Sequence, residues 1–290
     1  MVENGTPESR KILDGLFGQQ KGFTLGVTGP PGAGKSTLVN RMIGRYRETG
    51  NRVGVIAVDP SSPFSGGALL GDRLRMQTHA SDPSVFIRSM GSRGHLGGLA
   101  GATRDASMVL AAAGYSPVII ETVGVGQAEV EVAELADITI LVLVPGLGDD
   151  VQSMKAGIME IGDIIVLNKA DRSGVDELEN YVKASLELMP SHMKKPRVIR
   201  TSAVTGEGLS ELWKALDSLK DPSAVGGGVP PNALKILDGI LEENGKILFN
   251  RLLELEYNGR EGAERLILAG EVTPYAIGEK LLEKAERMLK

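Results

Sequence analysis

Short apolar runs alternate with longer helix-compatible segments through the first 220 residues of the chain. Most of these runs are apolar throughout rather than alternating with polar residues, which is typical of strands covered on both faces. The predicted strands are residues 23–28, 52–58, 85–90, 118–122, 138–144, 163–167 and 197–201. Alternation of such strands with helices predicts an α/β fold with a doubly wound, mainly parallel sheet.

The pattern changes at residues 221–231, which read DPSAVGGGVPP and are typical of a linker. Beyond it, Thr273 is expected to cap a helix that begins at Pro274. We therefore predict an N-terminal extension over residues 1–20, a main domain over 21–222 and a helical tail over 223–290. A tail of about 60 residues is marginal by itself, so we expect it to pack on the main domain or on another subunit. Five leucines lie near one face of its first predicted helix, namely Leu234, Leu237, Leu241, Leu248 and Leu252.

Composition narrows the classes of function. The 290 residues carry a formal net charge of −5, which argues against binding to nucleic acid or to an anionic membrane. The chain has no cysteine, which excludes a disulfide framework, an iron–sulfur cluster and a thiol nucleophile. Its longest apolar run, residues 138–148, is interrupted by Pro145 and is too short to span a membrane. We expect a soluble, cytoplasmic protein without a signal peptide.

A glycine-rich segment directly follows the first predicted strand. Residues 29–37 read GPPGAGKST and match G-x-x-x-x-G-K-[ST] before a helix predicted over residues 36–47, the context that a P-loop requires. Lys35 is expected to reach the β- and γ-phosphates and the Ser36 hydroxyl to ligate Mg²⁺. An ordinary glycine-rich turn would leave both residues unexplained. The residues predicted to bind nucleotide in this P-loop NTPase are Gly29, Gly32, Ala33, Gly34, Lys35, Ser36 and Thr37.

A second motif selects the base. Asn168, Lys169 and Asp171 belong to NKAD, which follows an apolar strand and matches the N-K-x-D element of GTPases. The Asp171 carboxylate can accept hydrogen bonds from N1–H and the 2-amino group of guanine, a donor pair that adenine lacks. After the next strand, Ser202 and Ala203 resemble the S-A element whose backbone amide meets guanine O6. The order of these elements favours GTP over ATP.

Acidic residues at strand ends are candidate partners of Mg²⁺. Asp59 ends one strand in VDPSS and Glu121 ends another in ETVGVGQ. Both are expected beside the P-loop at the carboxyl edge of the sheet, and Mg²⁺ is commonly held by one or two carboxylates and waters. Asp72 is a further candidate, with weaker support from spacing. A solvated acid at a strand end is the alternative for each.

The residues that orient water or neutralise charge during hydrolysis are harder to identify. Gln127 lies three residues after Gly124 and so does not copy the Gly-Gln pair of Ras-like proteins. Arg75, Arg93 and Lys155 are the other candidates, and each arginine is as well explained as a surface residue. The expected catalytic set is Lys35, Asp59, Glu121, Arg75 and Gln127.

Six segments in this order resemble the MeaB/ArgK family of GTPases: GVTGPPGAGKSTLVN, VDPSS, GALLGDRLRM, ETVGVGQAE, VPGLGDDVQSMKAGI and LNKAD. The resemblance covers roughly residues 21–215, with a fainter match at GEVTPYAIGEKLL. It implies a GTPase that accompanies a cobalamin-dependent methylmalonyl-CoA mutase or a relative, gates loading of adenosylcobalamin, and protects the mutase. Slow intrinsic hydrolysis that the partner accelerates is implied as well.

The resemblance also assigns residues. It implies that Ser36, Asp59, Asp72 and Glu121 form the Mg²⁺ network. A partner-responsive loop would cover residues 146–155 and include Asp149, Gln152 and Lys155. This sequence has Ala156 where the family often has a second lysine. Family members form homodimers through C-terminal helices, which fits the apolar tail.

Two other functions remain to be weighed. The first is a nucleotide-dependent protein kinase or ATPase linked to lysine/arginine/ornithine transport, as family members were formerly described. A kinase needs a second substrate pocket, and no motif identifies one. The second is a metal-delivery GTPase related to urease or hydrogenase maturation factors, which the lack of cysteine and of a histidine cluster disfavours.

Overall fold

The computed structural model describes residues 7–16, 22–59, 79, 81–91, 98–122, 128–146, 157–190, 193–220 and 233–288. The chain divides into two compact units, Met1–Ile236 and Leu237–Lys290. The linker expected at residues 221–231 lies outside the described residues. The predicted domain boundaries therefore stay a prediction.

Within the described residues, seven strands form one parallel sheet. They are β1 (Thr24–Thr28), β2 (Val53–Asp59), β3 (Val85–Gly91), β4 (Val118–Thr122), β5 (Ile138–Leu143), β6 (Ile164–Leu167) and β7 (Arg197–Arg200). Their order across the sheet is β3-β2-β4-β1-β5-β6-β7, and every neighbouring pair is parallel. The structure confirms the predicted fold class and places each strand within one residue of its predicted ends.

Helices flank the strands and form the tail. In the first unit they are α1 (Pro7–Leu16), α2 (Lys35–Glu48), α3 (Gly98–Ala112), α4 (Ala128–Leu135), α5 (Gly157–Glu160), α6 (Val175–Glu187) and α7 (Leu209–Leu219). The tail contains α8 (Ala233–Tyr257), α9 (Gly259–Leu268) and α10 (Pro274–Met288). Helix α1, which lies against α3, has no counterpart among the predicted elements.

Strand β5 shows why the strands are apolar on both faces. Ile140 and Val142 pack with α2 and α7 in one core cluster, whereas Leu141 and Leu143 pack with α6 in another. Successive side chains of a strand point to opposite faces of the sheet. Both faces are covered by helices, so each of these positions must be apolar.

The parallel arrangement brings the loops of the functional motifs to one edge. Strand β1 lies between β4 and β5, and β6 and β7 continue the sheet beyond β5. Because all these strands run in the same direction, the segments that follow β1, β4, β6 and β7 leave from the carboxyl edge. Open α/β sheets bind ligands in the crevice at this edge.

The second unit has a small core of its own. Its buried residues include Leu252, Ile277 and Leu281. The Thr273 hydroxyl accepts a 3.2 Å hydrogen bond from the Ala276 N–H, which confirms the predicted cap of α10. Among the described residues, no helix is both long enough and apolar enough to cross a membrane.

Candidate functional site

The P-loop, residues 29–36, connects β1 to α2 through backbone conformations that favour glycine. Gly29 has a φ of 139°, and Gly32 and Gly34 have φ values of 75° and 89°. A Cβ atom at Gly29 would overlap the carbonyl oxygen of Val142 in the neighbouring strand. The loop can therefore pass this close to β5 because residue 29 has no side chain.

The Lys35 ammonium lies inside the P-loop. Its Nζ donates hydrogen bonds to the carbonyl oxygens of Gly29 at 2.6 Å and Pro30 at 2.9 Å. Lys35 is buried, with 6% of its surface exposed. A buried positive charge next to the N-terminus of a helix favours an anionic ligand such as a phosphate group.

Ser36 and Glu121 lie in direct contact. The Ser36 hydroxyl donates a 2.6 Å hydrogen bond to Oε1 of Glu121. Glu121 is almost fully buried at the end of β4, beside Val27 of β1. A hydroxyl and a carboxylate at a phosphate-binding loop are a donor set that suits Mg²⁺, which keeps waters and phosphate oxygens in its coordination sphere. No group of three or more His, Cys, Asp or Glu side chains suited to a metal ion occurs among the described residues.

A second buried pair joins the same two strands. The Thr122 hydroxyl donates to the Thr28 hydroxyl at 3.0 Å, and both residues are at most 1% exposed. Thr28 immediately precedes the P-loop and Thr122 immediately follows Glu121. This link could not be predicted from the sequence, because a threonine in an apolar strand gives no local indication of its hydrogen-bond partner.

Other predicted residues are placed less completely. The backbone of Asp59 ends β2 beside Gly91, and β2 is separated from β1 by β4. Glu121 therefore lies on the strand next to β1, whereas Asp59 lies one strand further away. The remaining candidates lie outside the described residues: Asp72, Arg75, Arg93, Gln127, Asp149, Gln152 and Lys155.

The NKAD loop, residues 168–171, is tied to the P-loop by its first two side chains. Nδ2 of Asn168 donates to the Ala33 carbonyl oxygen at 2.8 Å. Nζ of Lys169 donates to the Gly32 carbonyl oxygen at 2.8 Å. The φ of Lys169 is 58°, an uncommon value for a residue other than glycine. These contacts place the base-recognition motif directly against the phosphate-binding loop.

Asn168 also binds the base loop, which comprises residues 201–206 after β7. Its Oδ1 accepts a 3.0 Å hydrogen bond from the Ala203 N–H and a 3.3 Å hydrogen bond from the Thr201 hydroxyl. Asn168 is 2% exposed, so one buried amide connects three loops. The Ala203 N–H, which the sequence assigns to guanine O6, already has Asn168 as a partner. Guanine would share this donor in a three-centre hydrogen bond.

Asp171 is exposed at the end of the NKAD loop. Hydrogen bonds from the Ser202 hydroxyl and from its own backbone N–H lower the pKa of the Asp171 carboxyl. The carboxylate is therefore ionised at neutral pH and can accept hydrogen bonds from the guanine N1–H and 2-amino groups. The structure thus brings Asp171, Ser202 and Ala203 to one place.

Arg41 is a further residue at this edge that the sequence did not single out. It lies on α2, and its guanidinium donates to the carbonyl oxygens of Ala203 and Val204 in the base loop. The contact joins residues 162 positions apart. The sequence around a single arginine on a helix does not indicate a hydrogen-bond partner so far away along the chain.

Comparison with known proteins agrees with these features. The family model for the methylmalonyl-CoA mutase-associated GTPase MeaB matches residues 1–229. A Pyrococcus horikoshii protein is 44% identical over 292 residues, covering 98% of this chain and 91% of its own length. The mouse protein named methylmalonic aciduria type A homolog, mitochondrial, is 42% identical over 200 residues, which are 67% of this chain and 48% of that one.

A solved structure extends the likeness to the fold. The crystal structure of a protein described as an LAO/AO transport system kinase aligns with a TM-score of 0.71 and 28% identity. The alignment covers 98% of this chain and 90% of the other. With a family model that matches most of its length and a relative that is 44% identical over nearly the whole chain, this chain belongs to the MeaB family of GTPases.

Proposed function

We propose that this protein is a GTP-binding and hydrolysing chaperone for a cobalamin-dependent methylmalonyl-CoA mutase in the cytoplasm, where it assists cofactor loading and protection. The observation that carries the nucleotide assignment is the buried Asn168 amide, which joins the P-loop, the NKAD loop and the base loop. The mutase is proposed from the family description and from the name of the mouse relative.

Phosphate binding is proposed to depend on Lys35 and on the N–H groups of the P-loop. The Lys35 ammonium can exchange its bonds to the Gly29 and Pro30 carbonyl oxygens for bonds to phosphate oxygens, which are charged and therefore stronger acceptors. The N-terminus of α2 adds a favourable dipole at the same point. Ala33 and Thr37 complete the proposed phosphate site.

The proposed Mg²⁺ site begins with Ser36 and Glu121. Bound there, Mg²⁺ would neutralise charge on the phosphate oxygens. The Ser36 hydroxyl would turn from Glu121 to the ion, and the carboxylate would face the ion or one of its waters. Asp59 and Asp72 are proposed as further acidic members of this network.

Guanine recognition is proposed for Asp171 and Ala203, with Asn168 bracing both loops. The Ser202 hydroxyl donates a hydrogen bond to the Asp171 carboxylate and lowers the pKa of that carboxyl. The Lys169 stem is proposed to cover the base, since its ammonium is fixed on the Gly32 carbonyl oxygen. Adenine has no N1–H and no 2-amino group, so it would leave the Asp171 carboxylate without hydrogen-bond donors.

Slow turnover and its control by the partner are proposed to reside in the segment around Arg75 and in the segments after Glu121. Arg75 and Gln127 are the proposed catalytic candidates, and Asp149, Gln152 and Lys155 form the proposed partner-responsive loop. Loops that order around a γ-phosphate and relax after hydrolysis can pass the nucleotide state to a bound protein.

The test is GTP hydrolysis by the purified protein with and without the mutase from the same source, using ATP as the control nucleotide. GTP-specific hydrolysis that the mutase stimulates is the expected result. GTP-specific hydrolysis that does not respond to the mutase would contradict the chaperone role but would still support the proposed nucleotide site. Transfer of the γ-phosphate to a protein instead of water would favour the transport-kinase alternative, which no contact in the described site supports.

We also propose that the second unit forms a homodimer through α8. Leu241, Leu248 and Leu255 recur at seven-residue spacing on this helix, and all three are exposed. Such spacing gives one apolar seam along a helix, which a second helix can cover. Leu248→Glu should convert a dimer to a monomer in light scattering after gel filtration. Leu188→Glu, an equally drastic change at an exposed leucine of the first unit, should leave the mass unchanged. A monomeric parent protein would refute the dimer.

A further inference from the structure

We infer that Arg41 is a positioning residue for recognition of guanine O6. This inference rests on the proposed GTP function. Arg41 lies on α2 six residues after Lys35, and it contacts the base loop rather than the phosphate-binding loop. It therefore connects the helix that begins at the phosphates to the loop that reads the base.

The contact has two hydrogen bonds. Nε of Arg41 donates to the Ala203 carbonyl oxygen at 2.8 Å, and Nη2 donates to the Val204 carbonyl oxygen at 2.6 Å. The guanidinium is planar, with its donors in a fixed fork. Both donors are charged, which strengthens the bonds compared with neutral ones. One side chain thus fixes two successive carbonyl groups.

Fixing these carbonyl groups restricts the position of the Ala203 N–H, the proposed donor to guanine O6. The peptide group is planar, so a fixed carbonyl also fixes the N–H of the following residue. The Ala203 N–H belongs to the same residue as the first fixed carbonyl and is joined to it through the Ala203 Cα, and its hydrogen bond is accepted by Asn168 Oδ1. The Ala203 backbone is therefore held at its N–H by Asn168 and at its carbonyl by Arg41.

Side-chain packing holds the base loop at Ala203, which is 2% exposed and part of the main core cluster, but not at Val204, which is 73% exposed. Two backbone hydrogen bonds stabilise the turn: the Ser202 N–H donates to the Glu207 carbonyl oxygen, and the Gly206 N–H donates to the Ser202 carbonyl oxygen. They do not connect it to α2. Arg41 makes that connection. Its loss should therefore impair the positioning of the Ala203 N–H more than the stability of the fold.

The experiment compares three diphosphates by their dissociation constants, measured by displacement of a fluorescent GDP analogue. GDP presents O6, N1–H and the 2-amino group, inosine diphosphate lacks the 2-amino group, and 2-aminopurine riboside diphosphate lacks O6 and N1–H. The preference for GDP over the 2-aminopurine nucleotide reports O6 recognition together with the N1–H contact to Asp171, and the inosine comparison controls for Asp171. The preference for GDP over inosine diphosphate reports the Asp171 contact.

Arg41→Ala should reduce the preference for GDP over the 2-aminopurine nucleotide by about fivefold, because the donor is less well placed. Its preference for GDP over inosine diphosphate should remain within about twofold of the parent value. Arg41→Lys, which can bond to one carbonyl at a time, should give an intermediate loss. Arg47→Ala is the matched control: it removes another arginine of α2, one that pairs with Asp82 at 2.7 Å, and should change neither preference.

Thermal unfolding of each variant separates positioning from loss of the fold. An equal loss of affinity for all three nucleotides in Arg41→Ala, or no change at all, would overturn the role of Arg41. A parent protein that does not prefer GDP over the 2-aminopurine nucleotide would refute the proposed O6 recognition itself, and the role of Arg41 with it. A parent that prefers GDP strongly while Arg41→Ala keeps the full preference refutes the Arg41 inference only.

Discussion

The Ser36 hydroxyl donates a 2.6 Å hydrogen bond to the Glu121 carboxylate across 85 positions of sequence. Ser36 is in the first turn of α2, and Glu121 is near the end of β4. The two meet because β4 is the hydrogen-bonded neighbour of β1, the strand that leads into the P-loop. The pair links the phosphate-binding loop to the segment after β4, which we propose responds to the nucleotide.

Glu121→Gln tests this pair. Glutamine keeps an acceptor for the Ser36 hydroxyl and removes the negative charge, so Mg²⁺ should bind the GDP complex about tenfold more weakly. Affinity for GDP without Mg²⁺ should be nearly unchanged. Titration of Mg²⁺ against release of a fluorescent GDP analogue measures both quantities. Glu211→Gln on the exposed side of α7 is the control, and equal Mg²⁺ affinity in the two variants would exclude Glu121 from the metal network.

Lys35→Ala removes the buried ammonium of the P-loop. We expect affinity for GDP and GTP to fall by at least about a hundredfold, because a charge-assisted bond to phosphate is lost where water has little access. Isothermal titration calorimetry checks this. Lys214→Ala, which removes an exposed lysine of α7, should bind as the parent does. Nucleotide affinity that survives in Lys35→Ala would contradict the phosphate assignment.

Asp171→Asn changes the carboxylate that we propose reads the base. The amide has one acceptor oxygen where the carboxylate has two, and its N–H₂ group faces a guanine donor, so GTP affinity should fall by about a hundredfold. Xanthine has a carbonyl group in place of the 2-amino group, and the new amide N–H₂ can donate to it. Xanthosine triphosphate should therefore bind this variant better than it binds the parent in competition assays. A variant that still prefers GTP would show that Asp171 does not read the base.

Gly29→Ala and Gly32→Ala separate two roles of glycine in the P-loop. Both residues have positive φ values, but only at Gly29 does an added Cβ meet other atoms, since Gly32 has no atom within contact distance of that position. Gly29→Ala should lower the free energy of unfolding by about 3 kcal/mol or more. Gly32→Ala should lower it by about 1 kcal/mol. Urea unfolding curves give both values, and equal losses would contradict the steric role of Gly29.

Much of the fold and part of the site could be predicted because their signals are local. The strands are short apolar runs, and each run can be recognised from its own residues. The P-loop is a backbone conformation, and the glycines at positions 29, 32 and 34 that permit it lie within six residues of one another. Asn168 and Asp171 follow their strand directly, so finding the strand also placed them at its carboxyl end. Helix α1 was missed because an amphipathic segment of ten residues gives only a weak periodic signal.

The sequence by itself determined the parallel α/β fold, the P-loop and the base-recognition motif, since each depends on residues close together along the chain. Only the tertiary structure decided that β4 rather than β2 lies beside β1, because backbone hydrogen bonding between strands is the same for every possible neighbour. That choice brings Glu121 onto Ser36 and leaves Asp59 one strand further away. The contact of Arg41 with the base loop depends likewise on how α2 lies beside the turn after β7, and long-range packing of this kind has no signature in the sequence around either residue.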